Sequence, residues 1–412
     1  MSTLNNKKVA VIGGGAAGLM AAGTALLYGA DVTVFDHNNK MGRKLLITGK
    51  GRCNVTNHCS PAEFLQSVIS NPQFLYSALY TFTPEDTINL IENHGTPLKI
   101  ERGKRVFPVS DLAGDVLSAL LRYAQGSKFI REHVTSISSS SEDSLQIKTE
   151  CKIYNFDAVI LATGGASYPK TGSDGSGYRL AESMGHTITP LQASLVPLVA
   201  EGRECSDMQG LSLKNVGVQI TAPNGKQVYD DFGELLFTHF GVSGPTILSA
   251  SAHLKNEVLE GYTLHIDMKP ALTEADLDAR LLSDFQKYQN RTLSNALNDL
   301  LPQKMIPVFI SKTGVSPYQK INCLTKLERQ TILRTMKNFS VKIKGRRPID
   351  EAIITRGGVN TKEINPKTMA SKLCPELFFA GEVIDVDAYT GGFNLQIAFS
   401  TGYLAGKNAA MF

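Results

Sequence analysis

A glycine pattern set between two short apolar runs fixes the start of this chain. It reads Val9-Ala10-Val11-Ile12, then Gly13-Gly14-Gly15-Ala16-Ala17-Gly18, then an alanine- and leucine-rich run to Tyr28-Gly29, then Val32-Thr33-Val34-Phe35-Asp36. The first run suits a strand buried on both faces of a parallel sheet. Gly13, Gly15 and Gly18 fit G-x-G-x-x-G. In that pattern the first glycine allows the tight strand-to-helix turn, the second lets backbone approach a pyrophosphate, and the third lets the helix lie close on the strand. Residues 16–28 suit a helix whose first N–H groups face the phosphates. Asp36 then closes a second strand where a carboxylate accepts hydrogen bonds from a ribose. An acid there repels a 2′-phosphate, which argues against NADP at this site. The motif alone leaves NAD and FAD open.

A chain of 412 residues holds two or three domains, and 42% apolar residues supply an ordinary core. The net charge of +4 is too small to imply a nucleic-acid partner. Six cysteines without an even framework fit a reduced, cytoplasmic setting. No leader and no membrane span is expected, since residues 1–7 are polar and no apolar run approaches ~20 residues. The Ser-rich patch 138–141 reads as a hairpin tip.

Residues 41–57, rich in glycine and basic side chains, follow the second strand. They read either as a segment running past a long cofactor or as a solvated loop, and their position favours cofactor contact. Cys53 and Cys59 stand C-x5-C, one residue longer than the C-x4-C of redox pairs in disulfide reductases, so Cys53 reads as a small packed residue. Helices are expected over 61–70, 84–94 and 112–123, and a third parallel strand at 129–130. Residues 134–137, 145–150 and 152–156 alternate as an antiparallel meander. Residues 157–162 return as a buried strand ending in Ala162-Thr163-Gly164, followed by a helix over 178–184. Beyond 191 the character changes. Strands are expected at 195–199, 216–221, 226–230 and 262–268, with a Pro223-Asn224-Gly225 turn. Helices follow at 277–285, 293–301 and 326–336.

The C-terminal stretch returns to cofactor chemistry. Leu377-Phe378-Phe379-Ala380-Gly381-Glu382 is a buried strand ending in Gly-Glu, and Gly391-Gly392-Phe393-Asn394 leads into a helix over 397–409. Three cofactor-type segments at strand ends, at 13, 163 and 381, select FAD over NAD. Their order is similar to that of two-dinucleotide-domain flavoproteins of the glutathione-reductase type.

Segments 42–57, 162–169, 237–245, 356–360 and 380–396 together resemble the BaiN/YhiN-like flavoproteins. That family is described as NAD(P)/FAD-dependent or aminoacetone-oxidase-like oxidoreductases, with one branch of bile-acid 3-dehydro-Δ4,6-reductases. The resemblance implies an α/β fold: a Rossmann-type FAD-binding domain, glutathione-reductase-like in a three-layer ββα arrangement, carrying an inserted β-barrel-like subdomain and a helical one. The expected limits are 1–190 with 353–412 for the FAD domain, 191–270 with 339–352 for the β-rich insert, and 271–338 for the helical insert. It places Gly13, Gly15, Gly18, Asp36, Lys44, Arg52, Asn54, Thr163, Gly164, Glu382, Asp385, Gly392 and Asn394 around FAD. Ala16, Ala17, Gly51, Val134, Ala162, Gly381 and Phe393 join them as expected cofactor contacts.

Three residues are candidates for acting on substrate. His239, in Phe-Thr-His-Phe-Gly, either meets a substrate oxygen or caps and packs. Arg356 either binds a substrate oxygen or pairs with a carboxylate such as Asp350. Tyr389 acts as an acid or packs on the ring. No second fingerprint with its own strand and acid is found, so either NADH or NADPH binds transiently as donor or electrons come from elsewhere. No metal-ligand spacing is present. The expected activity is hydride exchange between flavin N5 and a small molecule with an activated C=C or C=O. Two rivals are an RNA-modifying flavoprotein, suggested by basic stretches at 102–105 and 342–347, and a non-catalytic flavin redox sensor.

Overall fold

The computed structural model describes residues 7–140, 144–254 and 258–412. Of the segments read above, residues 1–6 and Ser141 lie outside these. The chain divides into two compact units, 1–194 with 349–412, and 195–348.

The first unit is built on a five-stranded parallel sheet. Its order is Leu377–Phe379, Ala158–Leu161, Lys8–Ile12, Asp31–Phe35, Lys128–Ile130. The sequence reverses direction across the sheet at Lys8–Ile12, and such a switch point opens a crevice at the carboxyl ends of the strands. Val9, Val11, Val32, Val34 and Val159 are buried, as strands covered on both faces require. The fingerprint helix Ala16–Leu27 packs along the C-terminal helix Phe393–Met411. Small residues permit this closeness: a Cβ on Gly402 or Gly406 would stand 2.5 or 2.3 Å from a backbone oxygen of the neighbouring helix. A three-stranded meander, Val134–Ser139, Leu145–Thr149 and Ile153–Phe156, sets Phe156 and Tyr154 edge-on to Phe35, at 5.8 and 5.1 Å.

Several local expectations change. The helix expected over 61–70 is only Pro61–Leu65, because Ser67–Ser70 instead run beside 387–389 and bond to Asp387 and Tyr389 backbone. A hairpin, Leu98–Glu101 with Arg105–Pro108, was not expected, nor was the two-stranded pair Ile188–Ser194 with Ile354–Val359. That pairing keeps 191–194 in the first unit, so the division falls at 195 rather than 191.

The second unit contains a closed six-stranded barrel: Leu198–Ala200, Gly241–Ser243, Gln227–Phe237, Ser212–Thr221, Tyr262–Asp267 and Phe339–Arg346. Its buried alternate positions include Val218, Ile220, Leu264, Ile266, Val341 and Ile343. Helices Glu274–Lys287, Ile306–Thr313 and Lys326–Lys337 share its core, the first and last opened by Thr capping boxes. The helix expected over 293–301 is one turn, Leu293–Ala296, continued as a 3₁₀ turn to Asp299. No helix among the described residues is long and apolar enough to cross a membrane.

Candidate functional site

The crevice at the switch point is a cavity enclosing about 1300 Å³, its open mouth included. Gly13 and Gly15 border it, while Gly18, an expected cofactor contact, lies off the lining; the three fingerprint glycines are glycine for different physical reasons. Gly13 has φ +106°, and a Cβ there would lie 2.4 Å from the Ala162 carbonyl oxygen. A Cβ on Gly18 would lie 1.8 Å from the Gly13 carbonyl oxygen. Backbone and packing therefore demand both. Gly15 has an ordinary φ of −83°, and a Cβ there meets nothing within 4 Å. Nothing in the fold itself demands that glycine; it keeps open a stretch of the cavity wall.

Asp36 is fixed at the end of its strand. One carboxylate oxygen accepts from the Gly14 N–H (2.8 Å), the other from the Asn38 N–H and side-chain amide (2.8 and 2.9 Å). Further along, Lys44 Nζ donates to Glu382 Oε2 and to Ser167 Oγ, each at 2.6 Å. Ser167 Oγ and the Thr355 N–H donate to Glu382 Oε1 at 3.0 and 2.8 Å. Thr355 Oγ1 in turn accepts from the Ala166 and Ser167 N–H groups. Lys44 and Glu382 both line the cavity. This network joins residues up to 338 positions apart, so Ser167 and Thr355 carried no signal in the sequence. Thr163 also lines the cavity, and its buried Oγ1 has no hydrogen-bond partner among the described residues. Burial pushes the Tyr178 phenol well up, with Glu382 and Asp385 adding to the effect.

Of the sequence-expected contacts, Gly13, Gly15, Ala16, Ala17, Asp36, Lys44, Val134, Ala162, Thr163, Gly164, Glu382 and Asn394 line this cavity. His37, Asn38 and His133 line it as well and were not foreseen. The two imidazoles stand edge to face at 5.4 Å, brought together by the meander's return beside the second strand.

Other expected residues lie off the lining. Arg52 pairs with Glu101 and with Asp111 (2.6 Å), its guanidinium 4.2 Å from the centre of the Phe107 ring. The unforeseen hairpin supplies Glu101 and Phe107, and Asp111 follows it in the chain. Those two carboxylates raise the Arg52 pKa, chiefly through their hydrogen bonds. Asn54, with its amide oxygen turned to the Gly392 N–H (3.0 Å), supports the turn before the C-terminal helix from behind. Gly392 has φ +97°, and a Cβ there would sit 2.4 Å from Thr56 backbone. Gly51 occupies a left-handed turn position (φ +86°), and Gly381 gives its N–H to Thr401 Oγ1. Phe393 turns its ring onto Phe64, 5.0 Å away. Burial holds the Asp385 carboxyl above its ordinary value; hydrogen bonds from Thr189 and Asn71 oppose this, Asp387 adds to it, and Arg356 opposes it.

The C-terminal helix begins at Phe393, four residues before the expected 397, so Asn394 sits in its first turn. Its side chain clamps the preceding backbone, accepting from the Ala388 N–H (3.0 Å) and donating to the Ala388 carbonyl (2.8 Å). Tyr389, half-buried, gives its backbone N–H to Ser67 (3.0 Å). Arg356 lies on Ile354–Val359, close enough to Asp385 to bias its charge. His239 belongs to the second unit, in a turn closed by the Thr238 N–H on the Gly241 carbonyl, its ring 4.9 Å from Phe240. Cys53 is buried, and that burial pushes its thiol up to about 12.

The cavity's donor set fits FAD: a glycine-walled backbone turn for a pyrophosphate, a fixed carboxylate for a ribose, an ammonium–carboxylate pair, an unpartnered threonine hydroxyl and a helix start. Comparison with known proteins agrees. Residues 7–408 match the family described as HI0933-like protein Rossmann domain. A 3-dehydro-bile acid Δ(4,6)-reductase of Clostridium scindens is 31% identical over 411 residues, covering 98% of this chain and 99% of that one. A ribosomal RNA dihydrouridine synthase of Escherichia coli K12 is 31% identical over 402 residues, covering 97% and 96%. The structure of a 3-ketosteroid-Δ4-(5α)-dehydrogenase of Rhodococcus jostii RHA1 superposes with a TM-score of 0.52 at 15% identity, covering 99% and 98%. That last likeness is one of fold.

Proposed function

Because the chain belongs to the HI0933-like Rossmann-domain family and is an FAD-dependent oxidoreductase, we propose that it reduces a C=C bond conjugated to a carbonyl. When bound, FAD supplies the hydride chemistry at its N5. The observation that carries this reading is that one cavity is bordered by the fingerprint turn, Asp36, Thr163, the Lys44–Glu382 pair and Asn394 together.

Each residue then has a stated task. The turn from Gly13 to Gly15 and the first N–H groups of the following helix bind the pyrophosphate. Asp36 accepts from the adenosine ribose. Glu382, fixed in place by Lys44, Ser167 and the Thr355 N–H, accepts from the hydroxyl chain of the flavin side. Thr163 Oγ1 gains the partner it lacks. The start of the C-terminal helix, kept in place by Asn54 and Asn394, turns its N–H groups toward the pyrimidine edge of the flavin, which becomes anionic on reduction.

The substrate needs one proton beside the hydride, and its carbonyl needs a donor as charge develops. Tyr389, in the turn entering that helix, gives the proton, and Arg356 stabilises the carbonyl oxygen. With only one fingerprint in the sequence, the chain would hold FAD alone as a resident dinucleotide, and NADH or NADPH would serve as a transiently bound donor.

The names of the two relatives agree on this chemistry. One is a Δ(4,6)-reductase of a 3-dehydro acid, the other turns uridine into dihydrouridine, and both saturate a C=C next to a carbonyl. The second reading, a uracil ring within RNA as substrate, rests on the relative from E. coli. Anaerobic titration of the purified protein with NADH and NADPH, with the released flavin identified, tests the proposal. Bleaching of an oxidised-FAD band by either is expected, and a band that neither bleaches contradicts the proposed donor.

A further inference from the structure

A second cleft, of about 710 Å³ and open to solvent, lies in the same unit beside the turn that begins the C-terminal helix. Thr390, Gly391 and Phe393 border one side of it; Gly103, Lys104 and Arg105 border another. The latter form the tip of the hairpin that pairs Leu98–Glu101 with Arg105–Pro108. Asn57, only 6% exposed, ties the two sides together. Its amide donates to the Gly103 carbonyl (3.0 Å) and to the Gly391 carbonyl (3.2 Å). The tip is stiff for its size: Gly103 and Lys104 both take positive φ, +76° and +58°, and the Arg105 guanidinium donates back to the Arg102 carbonyl (3.0 Å).

The charges at this edge do not balance. Arg102 and Arg105 meet no carboxylate within 4 Å among the described residues. Lys104 has Glu63 at 3.2 Å, but both side chains are more than half exposed, at 55% and 53%. A pair so wetted is weak and open to exchange. Two cations of the cleft lining, Lys104 and Arg105, thus meet one carboxylate there, with exposed Arg102 beside them in the chain, and the far wall of the cleft is the turn carrying Tyr389. Ser67, which accepts the Tyr389 N–H, lines the cleft too.

We propose that the 102–105 hairpin tip is an anion-binding edge of the substrate site, taking a carboxylate or phosphate carried by the substrate. An anion held there displaces Glu63 from Lys104 and anchors the substrate beside the turn of the C-terminal helix. The inference rests on the reading above that this turn faces the flavin.

The test uses the FAD-loaded protein and two pairs of probes. Uridine 5′-monophosphate is compared with uridine, and 3-oxochol-4-en-24-oic acid with its methyl ester, each by isothermal titration. The wild-type protein is expected to bind at least one charged member about tenfold more tightly than its neutral counterpart. In the variant Arg102→Gln/Lys104→Gln/Arg105→Gln that difference disappears, with FAD content and melting temperature kept. The pair that shows the preference tells phosphate from carboxylate. No charge preference in the wild type, or a preference that survives in the variant, overturns the proposal. FAD content is read separately: a protein without FAD refutes the cofactor reading, while a charge preference that the variant loses still supports the anion edge.

Discussion

Replacing Gly15 with alanine separates what the cofactor demands of the fingerprint from what the fold demands. Gly15 has φ −83°, and an added Cβ meets nothing within 4 Å. It caps the first helix, where alanine is the poorer choice by about 1 kcal/mol. Stiffening the unfolded chain returns about 0.4–1 kcal/mol. The stability of the FAD-free protein should therefore move by less than about 1 kcal/mol. The same methyl group projects into the cavity where a pyrophosphate approaches the backbone most closely. FAD affinity should fall at least roughly tenfold, which is about 1.4 kcal/mol. Gly18→Ala is the contrast. Its Cβ would stand 1.8 Å from the Gly13 carbonyl, and backbone cannot yield as a flexible side chain does. That variant should lose about 3 kcal/mol with or without FAD. Thermal unfolding of the stripped proteins and titration of FAD by its fluorescence quenching measure both quantities. The reasoning is refuted if Gly15→Ala binds FAD like the wild type, or if it loses as much stability as Gly18→Ala.

Other perturbations have equally definite outcomes. Lys44→Met leaves the Glu382 carboxylate partly buried with only Ser167 and the Thr355 N–H, so the protein should lose about 2 kcal/mol by chemical denaturation and hold FAD less tightly. His186 is buried between Glu363 (3.2 Å) and Ser371 (2.8 Å); burial lowers its pKa, outweighing the raising effect of Glu363. The unfolded chain thus takes up this proton first, and stability should fall as pH drops below about 6.5. His186→Gln should flatten that limb, and an unchanged limb would exclude the histidine as its source. Burial raises the Asp385 carboxyl in the folded protein, so the unfolded chain gives up this proton first and the native state loses ground as pH rises above about 4. Asp385→Asn should gain stability on the wild type across that rise; a difference that does not vary with pH would contradict it. Tyr389→Phe should keep FAD and slow acceptor reduction by about 100-fold at neutral pH, measured by single-turnover absorbance.

The parts of the fold that were legible in the sequence are those whose signal is local. Gly13 and Gly18 stand where backbone sterics admit no side chain, and the apolar strands around them announce a parallel sheet. Ala162-Thr163-Gly164 and Gly381-Glu382 were readable as strand ends for the same reason. The hairpin Leu98–Pro108 was not, because its strands are short and neither alternates: the first is part-exposed along its length and the second is buried from Val106 to Pro108. Missing it hid Glu101 and Phe107 as neighbours of Arg52, which therefore looked like a cofactor cation. The Lys44–Ser167–Glu382 network depends on three segments meeting at the switch point, which no local pattern encodes. Asn394 was read as a turn residue before the helix, while the structure starts the helix at Phe393. Its clamp on Ala388 is a contact only folded geometry displays.

The central claim is that bound FAD passes electrons to a C=C conjugated to a carbonyl. The most direct test is to photoreduce the FAD-loaded protein without oxygen and mix it rapidly with an enone, with uridine, and with the saturated counterpart of each. The account predicts that the oxidised-FAD band returns with at least one unsaturated compound, whose double bond is recovered saturated, and with neither saturated one. A flavin that stays reduced with both unsaturated compounds, or that is reoxidised equally by the saturated ketone, would contradict it.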